Sequence, residues 1–412
     1  MDFWLRPIII IHAASSITCK IQEKYGEKGW EMDYFLSDEQ KMIVDIARKI
    51  AQEKIVPVRK ELDEKEEFPH EIIKEIARAD LFALFVPEEY GGLGGRIFDV
   101  CLAVEELSKG CLGVATSYAA SGLGFLPIII SGSEEQKKKY LSDLASGKKL
   151  AAFGLTEPDA GSDASAIRTS AVLDGDEYVL NGTKQWISNG GEADIYTIFA
   201  MTDKTKGARG ASTFIVEKGT PGFSFGKKEE KLGIRASVTR ELIFENCRIP
   251  RENLISREGM GFIIAMRTLD KARPAVGAQA VGVAQAALDE SIKFAKTRHQ
   301  FGVSISSFQS IQHMLADMAT QIEAARALVY AAAKMIDSGA KEISAASSMA
   351  KLFASDVAMK VTIDAVQIFG GYGYMREYPV EKMMRDAKIT QIYEGTNQIQ
   401  RNIIASHLLK SA

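Results

Sequence analysis

One segment near the C-terminus combines residue types that could perform proton-transfer chemistry. It reads Ile392-Tyr393-Glu394-Gly395-Thr396-Asn397-Gln398-Ile399-Gln400-Arg401. A carboxylate shielded by an aromatic neighbour can act as a general base, whereas a carboxylate at the start of a helix is commonly a solvated charge. Glu394 is therefore a candidate base, and the rest of the sequence must decide between these two interpretations.

Two further segments could together enclose a flat aromatic cofactor. They read Thr156-Glu157-Pro158-Asp159-Ala160-Gly161-Ser162-Asp163 and Lys184-Gln185-Trp186-Ile187-Ser188-Asn189-Gly190-Gly191. Taken singly, they would be a capped turn and the end of a strand with a core tryptophan. Taken together, they could place Trp186 over a ring face, with the Thr156 and Ser188 hydroxyls bonded to its heteroatoms.

The composition favours a folded protein with a small-molecule partner. With 412 residues, 46% of them hydrophobic, the chain can form two or three domains. The net charge of -3 comes from 51 basic and 54 acidic residues that are interspersed, which argues against nucleic-acid binding. The four cysteines and five histidines lack metal-type spacing, so we expect no metal site and a reducing compartment.

Residues 1–32 are predicted to be an N-terminal extension or a leader. The apolar run from Pro7 to Ile11 imitates a leader but is too short to span a membrane. No other segment is expected to reach a spanning length, so no integral membrane segment is predicted. We expect a cytoplasmic protein, or one of the mitochondrial matrix if the source is eukaryotic and the extension is a leader.

The rest of the chain divides by pattern into three predicted domains. Apolar residues at helical spacing predict an all-α domain over 33–151, and short β-branched or aromatic runs predict a β domain over 152–260. Helical spacing returns over 261–412. We therefore predict an α+β multidomain fold, with a β-barrel-like or orthogonal sheet domain between an N-terminal helical domain and a C-terminal four-helix bundle.

Particular boundaries follow from capping and turn residues. Helices are predicted over 38–56, from Pro69, over 97–109 and over 134–146, the last opened by a Ser133–Gln136 capping box. Asp174-Gly175 and Asn181-Gly182 are predicted hairpin turns.

Four motifs resemble the acyl-CoA dehydrogenase family, and they occur in the family's order. They are Thr156-Glu157-Pro158 to Ser162-Asp163, Trp186 to Gly190, Gln367 to Gly373, and Arg385-Asp386-Ala387-Lys388 leading to Tyr393-Glu394-Gly395-Thr396. The resemblance covers about residues 33–412, and the family's α, β, α order agrees with the order predicted above. The segment from Leu269 to Pro274, with Arg298 and Phe301-Gly302, is most similar to the medium- and short-chain branch.

This resemblance implies FAD as the cofactor. Thr156 and Ser188 would lie near the flavin N5 edge, and Trp186 beside the ring. The positions that match the rest of the family's FAD site, part of it completed by a neighbouring subunit, are Arg298, Phe301, Gln367, Gly371, Thr396 and Gln398. A homo-oligomer is therefore expected, and it is a homotetramer in most relatives.

The implied substrate is a CoA thioester. The positions that match the family's substrate contacts are Ser162, Asp270, Arg273, Tyr393 and Gly395. Glu394 would remove the α-proton while the β-hydride goes to flavin N5, which yields a trans-2-enoyl-CoA. The Glu394 backbone N–H and a ribityl hydroxyl would bond the thioester oxygen as enolate character develops. Because a glutamate ordinarily titrates near ~4.3, we expect burial to raise the pKa of Glu394.

Two features narrow the expected chemistry. Some relatives carry the base at the position matching Ala272, and alanine cannot accept a proton. The segment 116–125 resembles the acyl-pocket lining, and no arginine or lysine occurs between Gly113 and Gly132, where glutaryl-specific relatives use an arginine. A short or medium neutral acyl chain is therefore favoured, although the small residues Ala119 and Gly122 leave cyclic, branched or aryl-substituted acyl groups open.

The expected electron acceptor is electron-transferring flavoprotein, as in the family. The sequence has no Gly-x-Gly-x-x-Gly fingerprint that would indicate a nicotinamide alternative. An acyl-CoA oxidase, a same-fold enzyme for another substrate such as a nitroalkane, and an inactive helical scaffold are the rival interpretations. The oxidases are typically longer, the CoA-type positions are retained, and a scaffold would be expected to lose the base, the aromatic cover or the glycine turns.

Overall fold

The computed structural model describes residues 32–410, and its N-terminal third is helical. Its helices are α1 (Asp38–Ile50), α2 (Arg59–Lys65), α3 (His70–Arg78), α4 (Ile97–Gly110), α5 (Leu112–Ser131) and α6 (Glu134–Ala145). The predicted capping box is present, since the Ser133 and Gln136 side chains each accept a hydrogen bond from the other's backbone N–H. The helix predicted over 38–56 instead ends as a π-helical turn over Ala51–Ile55.

Helix α5 corrects one expectation drawn from the sequence. It is 20 residues long, and within residues 32–410 it has the length and hydropathy of a membrane span. Most of it is buried inside the protein, as is usual for a core helix. Gly124 lets α5 approach the sheet closely, because a Cβ at this position would lie 2.7 Å from the Ala151 Cβ.

The middle of the chain forms an eight-stranded mixed sheet. Its strands are β1 (Ala151–Gly154), β2 (Ser170–Asp174), β3 (Glu177–Ser188), β4 (Ile195–Met201), β5 (Ala211–Glu217), β6 (Phe223–Lys228), β7 (Thr239–Pro250) and β8 (Leu254–Ile255). The order is β6-β7-β3-β2-β4-β5-β8, and β1 pairs with β4. β4 runs parallel to β1 and β2, and the other pairings are antiparallel. A core of buried aromatic and aliphatic residues that includes Tyr196, Phe214 and Phe244 stabilises the sheet.

Of the two predicted hairpin turns, one is correct and one is wrong. Asp174 and Glu177 pair across the β2–β3 turn, as expected. Asn181 and Gly182 instead lie inside β3, where the register with β7 shifts. Gly182 has a φ of +142°, and a Cβ there would lie 2.6 Å from the Thr169 hydroxyl. The Asn-Gly pair therefore forms a β-bulge, which uses the same conformational freedom as a turn.

The C-terminal part is again helical. Its elements are α7 (Gly261–Thr297), β9 (His299–Gln300), β10 (Val303–Ser304), α8 (Gln309–Asp337), α9 (Ser344–Phe369), α10 (Val380–Ala387) and α11 (Asn397–Lys410). Helix α9 packs against α7, α8 and α11, which together form the predicted bundle. Glycines lie in three of the connections between these helices: Gly302 between α7 and α8, Gly339 between α8 and α9, and Gly370 between α9 and α10.

Buried polar contacts join the two helical parts. The Glu105 carboxylate in α4 accepts hydrogen bonds from Arg326 and Tyr330 of α8 at 2.9 and 2.8 Å. Asp337, the last residue of α8, accepts the backbone N–H groups of Ile97 and Phe98 at 2.7 and 2.9 Å. A side chain from one helix thus caps the start of another, and it fixes α4 beside α7 and α8.

Residues 32–39 belong to an N-terminal unit, in which the Phe35 N–H donates to Asp33 Oδ1 at 2.7 Å. The predicted extension or leader lies outside the described residues except for Met32. Three cysteines, Cys101, Cys111 and Cys247, are buried free thiols, and Cys19 lies outside the described residues.

Candidate active site

A cavity of about 380 Å³ lies between the sheet and the helices. Its walls come from α5, from the loop after β1, from the end of β3, from α7 and from the segment around the start of α11. Eight of the predicted site residues line it: Thr156, Ser162, Trp186, Ser188, Arg273, Tyr393, Glu394 and Gly395. Segments that are far apart in the sequence therefore meet at one site.

Trp186 reaches the cavity because β3 is irregular at this point. The register between β3 and β7 shifts between Lys184 and Ile187, and Trp186 has a φ of +58°, which is unfavourable for a bulky residue. Its side chain is 60% exposed instead of packed in the core. Bulges and strained backbone of this kind concentrate beside binding sites. The interpretation of Trp186 as a core residue is therefore wrong.

A buried ion pair supports the loop after β1. Lys184 Nζ lies 2.7 Å from Glu157 Oε1, and this carboxylate also accepts the backbone N–H groups of Arg168 and Thr169. Desolvation lowers the pKa of Lys184 to about 8, against the attraction of Glu157. The Gln185 N–H donates to the Thr156 carbonyl at 2.8 Å, so the two predicted cofactor segments are hydrogen-bonded to each other.

Glu394 lies in a left-handed turn that directs it into the cavity. Its φ is +53°, and that of Gly395 is +97°. The Glu394 carbonyl accepts Arg273 Nε at 3.4 Å and Gln400 Nε2 at 3.3 Å. The carboxylate has no hydrogen-bond partner at Oε2 among the described residues, although that atom is buried. A buried acceptor without a hydrogen-bond donor is unfavourable unless a bound ligand supplies one.

Electrostatics at Glu394 suit a general base. Burial raises its pKa to about 7, while the positive charges of Arg273 and Lys351 act in the opposite direction. The upward direction is the one expected from the sequence. A base whose pKa lies near neutrality combines a substantial ionised fraction with useful proton affinity.

The Tyr393 side chain is fixed by a glutamine that the sequence analysis did not identify. Its hydroxyl donates to Gln279 Oε1 at 2.5 Å, and Gln279 Nε2 lies 3.5 Å from the Thr116 hydroxyl. Gln279 is a buried amide on α7. A polar residue among the small apolar residues of that helix was the signal that could have identified it.

Arg273 interacts mainly within the protein. Only 2% of it is exposed, its NH1 lies 2.6 Å from Asp270 Oδ1, and Asp270 also accepts the Ser344 hydroxyl. Asp270 itself does not line the cavity. Their assignment to substrate binding remains a prediction.

The other predicted cofactor residues do not line this cavity. Arg298 and Gly371 line a separate surface cleft with Phe294 and Tyr372, and Phe301 is 94% exposed. The structure does not bring Phe301, Gln367, Thr396 or Gln398 into either of these two pockets. Within residues 32–410, no cluster of histidine, cysteine and carboxylate residues could hold a metal ion.

Three family models match consecutive parts of the chain. The N-terminal domain model of acyl-CoA dehydrogenases matches residues 37–148, the middle domain model matches 152–247, and the C-terminal domain model matches 259–409. The chain belongs to the acyl-CoA dehydrogenase family. It is therefore an FAD-dependent oxidoreductase that acts on the CH–CH group of an acyl-CoA.

Individual relatives support the short-chain branch. A short-chain-specific acyl-CoA dehydrogenase of Clostridium acetobutylicum is 50% identical over 92% of this chain and 100% of its own length. An acryloyl-CoA reductase (NADH) of Anaerotignum propionicum is 49% identical over 93% of this chain and 98% of its own.

A solved structure supports the fold. A chain from work on the electron transferring flavoprotein of Acidaminococcus fermentans and flavin-based electron bifurcation is 53% identical, with a TM-score of 0.90. The match covers 92% of this chain and all of that one.

The residues around the cavity fit the family's flavin. The Thr156 and Ser188 hydroxyls and the Trp186 indole N–H line the cavity or its rim without a hydrogen-bond partner among the described residues. An exposed aromatic face beside free donors and acceptors suits a planar heterocycle with polar edges.

Proposed function

We propose that this protein oxidises a short, neutral acyl-CoA to the trans-2-enoyl-CoA with Glu394 as the α-proton base. The observation that carries the assignment is the Glu394 carboxylate, buried without a partner at Oε2 on the wall of the cavity. A carboxylate in this state suits proton transfer better than structural pairing, because no described residue donates a hydrogen bond to Oε2.

The chain's own residues would act as follows. Glu394 accepts the α-proton, and the backbone N–H of the same residue supports the thioester oxygen as negative charge develops. Trp186, Thr156 and Ser188 hold the flavin, and Ser162 contacts the CoA portion. When bound, FAD supplies the acceptor for the hydride that leaves the β-carbon. The apolar lining excludes water and keeps the electrostatic interactions strong.

The shape of the acyl end supports a short chain. A small extension of about 20 Å³ continues from the main cavity past Ala119, Leu123 and Glu394. Phe85 closes it, since its ring lies where a Cβ on Gly122 would be, 2.0 Å from the Phe85 Cε1 atom. The curated relative from Clostridium acetobutylicum is specific for short chains, which agrees with this limit.

The electron acceptor would be an electron-transferring flavoprotein. The similar chain from Acidaminococcus fermentans comes from a study of such a flavoprotein. We further propose a homo-oligomer, with a homotetramer as the favoured form. Because the relatives named above are bacterial, a cytoplasmic location is favoured over a mitochondrial one.

Flavin bleaching tests the proposal. Butanoyl-CoA is mixed anaerobically with the yellow holoenzyme, and reduction is followed by the loss of flavin absorbance. Glu394→Gln should retain FAD and lose reduction by several orders of magnitude. Glu71→Gln, at a carboxylate whose side chain is 80% exposed, is the matched control and should reduce normally. Near-normal bleaching of Glu394→Gln would reject the assignment, and rapid reoxidation by air with release of peroxide would instead favour an oxidase.

A second candidate is the reverse reaction. The relative from Anaerotignum propionicum is named an acryloyl-CoA reductase, and the same glutamate could return a proton to the α-carbon. Dithionite-reduced enzyme mixed with acryloyl-CoA separates the two directions. Fast flavin reoxidation, with turnover supported by NADH in the presence of an electron-transferring flavoprotein, would favour the reductase.

A further inference from the structure

Lys351 lies buried directly behind the turn that carries Glu394. It belongs to α9, its side chain is 0% exposed, and its Nζ donates to the Gly395 carbonyl and to Asn397 Oδ1, both at 2.8 Å. Among the described residues, Lys351 forms no salt bridge. A fully buried ammonium whose hydrogen-bond acceptors are neutral is uncommon in proteins.

The charged groups that face Lys351 come from three different elements. Glu394 and Asp356 attract it, while Arg273 on α7 repels it. Burial together with Arg273 lowers the pKa of Lys351 to about 7. Glu394 is the stronger of the two negative charges acting on Lys351, and Lys351 in turn acts on Glu394 together with Arg273.

The turn itself needs support. Glu394 is a non-glycine residue with a φ of +53°, a conformation that persists only where neighbouring groups determine it. Gln400 donates to the Gly395 carbonyl at 2.9 Å, and the Lys351 contact at 2.8 Å is the shorter of the two. Lys351 also bonds Asn397, whose Nδ2 donates to Asp356 Oδ1 at 2.8 Å.

These contacts tie both ends of the turn to α9. The neighbouring residues on this face of α9 are small, including Ser348 and Ala354, so a methionine could occupy a similar volume without burying a charge. Packing alone therefore does not require the ammonium group at this position.

We propose that Lys351 is a positioning residue for the α-proton transfer: it holds the 394–397 turn so that the Glu394 carboxylate points into the cavity, and its positive charge favours the ionised form of that carboxylate. This inference rests on the proposed function of Glu394. It assigns a role to a lysine on the buried side of a long helix, where the sequence motifs give no indication of one.

Lys351→Met tests both parts of the role in the FAD-loaded enzyme. We expect the limiting rate of flavin reduction by butanoyl-CoA to fall on the order of 10- to 100-fold, because small displacements of a base are costly. We also expect the acidic limb of the pH–rate profile to move to higher pH, since loss of a nearby positive charge makes the carboxylate easier to protonate. The matched control is Lys360→Met, on the exposed side of the same helix, which should match the wild type.

A purely structural lysine would behave differently. A wild-type rate in Lys351→Met, or a slower rate with an unmoved acidic limb of the pH–rate profile, would overturn the proposal.

A second variant is needed if Lys351→Met does not retain FAD. Asn397→Ala then decides, because it removes one hydrogen-bond acceptor of Lys351 and keeps the ammonium group of the lysine. For Asn397→Ala we expect slower flavin reduction and an unmoved acidic limb of the pH–rate profile. An unchanged rate of flavin reduction would overturn the proposal. Glu394→Gln is measured in parallel: if it still bleaches, the proposed function fails, whereas an inactive Glu394→Gln beside a wild-type-like Lys351→Met rejects this inference alone.

Discussion

At the scale of single residues, the site depends on a carboxylate whose surroundings oppose its charge. Burial raises the pKa of Glu394, and the charges of Arg273 and Lys351 limit that rise. The same arrangement that makes Glu394 a useful base makes it an unfavourable group for the folded state, and both consequences can be measured.

The first consequence is a pH-dependent rate. Glu394 must be ionised to accept a proton, and its pKa is raised to about 7. The rate of flavin reduction should therefore be low at acidic pH, rise through neutrality and level off above it. Stopped-flow reduction by butanoyl-CoA across this range checks the prediction, and a rate already maximal at pH 5 would contradict it.

The second consequence concerns stability. A carboxyl group whose pKa is higher in the folded than in the unfolded protein is destabilising once the pH exceeds the unfolded value, and the cost is complete above the folded value. Glu394→Gln should therefore be more stable than the wild type at pH 8, by about 1–2 kcal/mol, with a smaller difference at pH 5. Denaturant unfolding of the two proteins at both pH values tests this, and equal stability at pH 8 would contradict it.

The sequence predicted single site residues well where motifs identify them and poorly where only packing does. Trp186, Ser188, Thr156 and Glu394 were predicted and line one cavity. Lys351 was not predicted, because its partners are backbone and side-chain oxygens 44 and 46 positions away. A lysine on a helical stripe of serines and alanines was the available signal, but spacing alone does not indicate what it contacts.

At the scale of elements, the cavity depends on how helices end and how they approach one another. Asp337 at the end of α8 caps α4, and Phe85 lies against Gly122 of α5. The sequence indicated most helices to within a few residues. It could not indicate a cap supplied 240 positions away, and it mistook the Asn181-Gly182 bulge for a turn because both conformations favour the same residues.

Loss of the α4 cap should weaken the fold. Asp337→Ala leaves the Ile97 and Phe98 N–H groups without their acceptor, and we expect a loss of about 1–2 kcal/mol in the free energy of unfolding. Asp364→Ala is the control, because Asp364 only pairs with Lys360 at the surface. Urea unfolding measures both, and equal effects would contradict the capping role.

Removal of the aromatic ring at the end of the acyl pocket should change chain-length preference. Phe85→Ala lengthens the extension beyond Gly122, and we expect the ratio of kcat/KM for octanoyl-CoA to that for butanoyl-CoA to rise about tenfold. Phe82→Leu is the control, since Phe82 is buried outside both parts of the pocket. An unchanged ratio in Phe85→Ala would mean that another residue sets the limit.

At the scale of the whole molecule, part of the predicted cofactor site lies on a different surface from the cavity. Arg298 and Gly371 line an open cleft, and Phe301 is 94% exposed. A large aromatic side chain so fully exposed is unusual on a monomer. This distribution is understandable if another copy of the chain covers the cleft, as the resemblance to the family leads us to expect.

Assembly and flavin content should therefore change together. Phe301→Glu places a charge on this surface, and we expect a smaller oligomer by light scattering and a lower ratio of flavin to protein absorbance. Val172→Glu, at an exposed apolar position of the sheet, is the control and should change neither. A Phe301→Glu protein with the wild-type mass and full flavin content would contradict the predicted role of this surface.

Helix α5 has a consequence for the folding of the protein during its synthesis. It carries no charged residue over 20 positions, and in the folded protein it is covered by α4, β1, β4 and α7. Since α7 is synthesised more than 100 residues later, α5 leaves the ribosome as a long apolar segment before α7 is available to pack against it. A chain interrupted between the sheet and α7 should therefore collect in aggregates or with chaperones, even though every residue needed for the first helices is present.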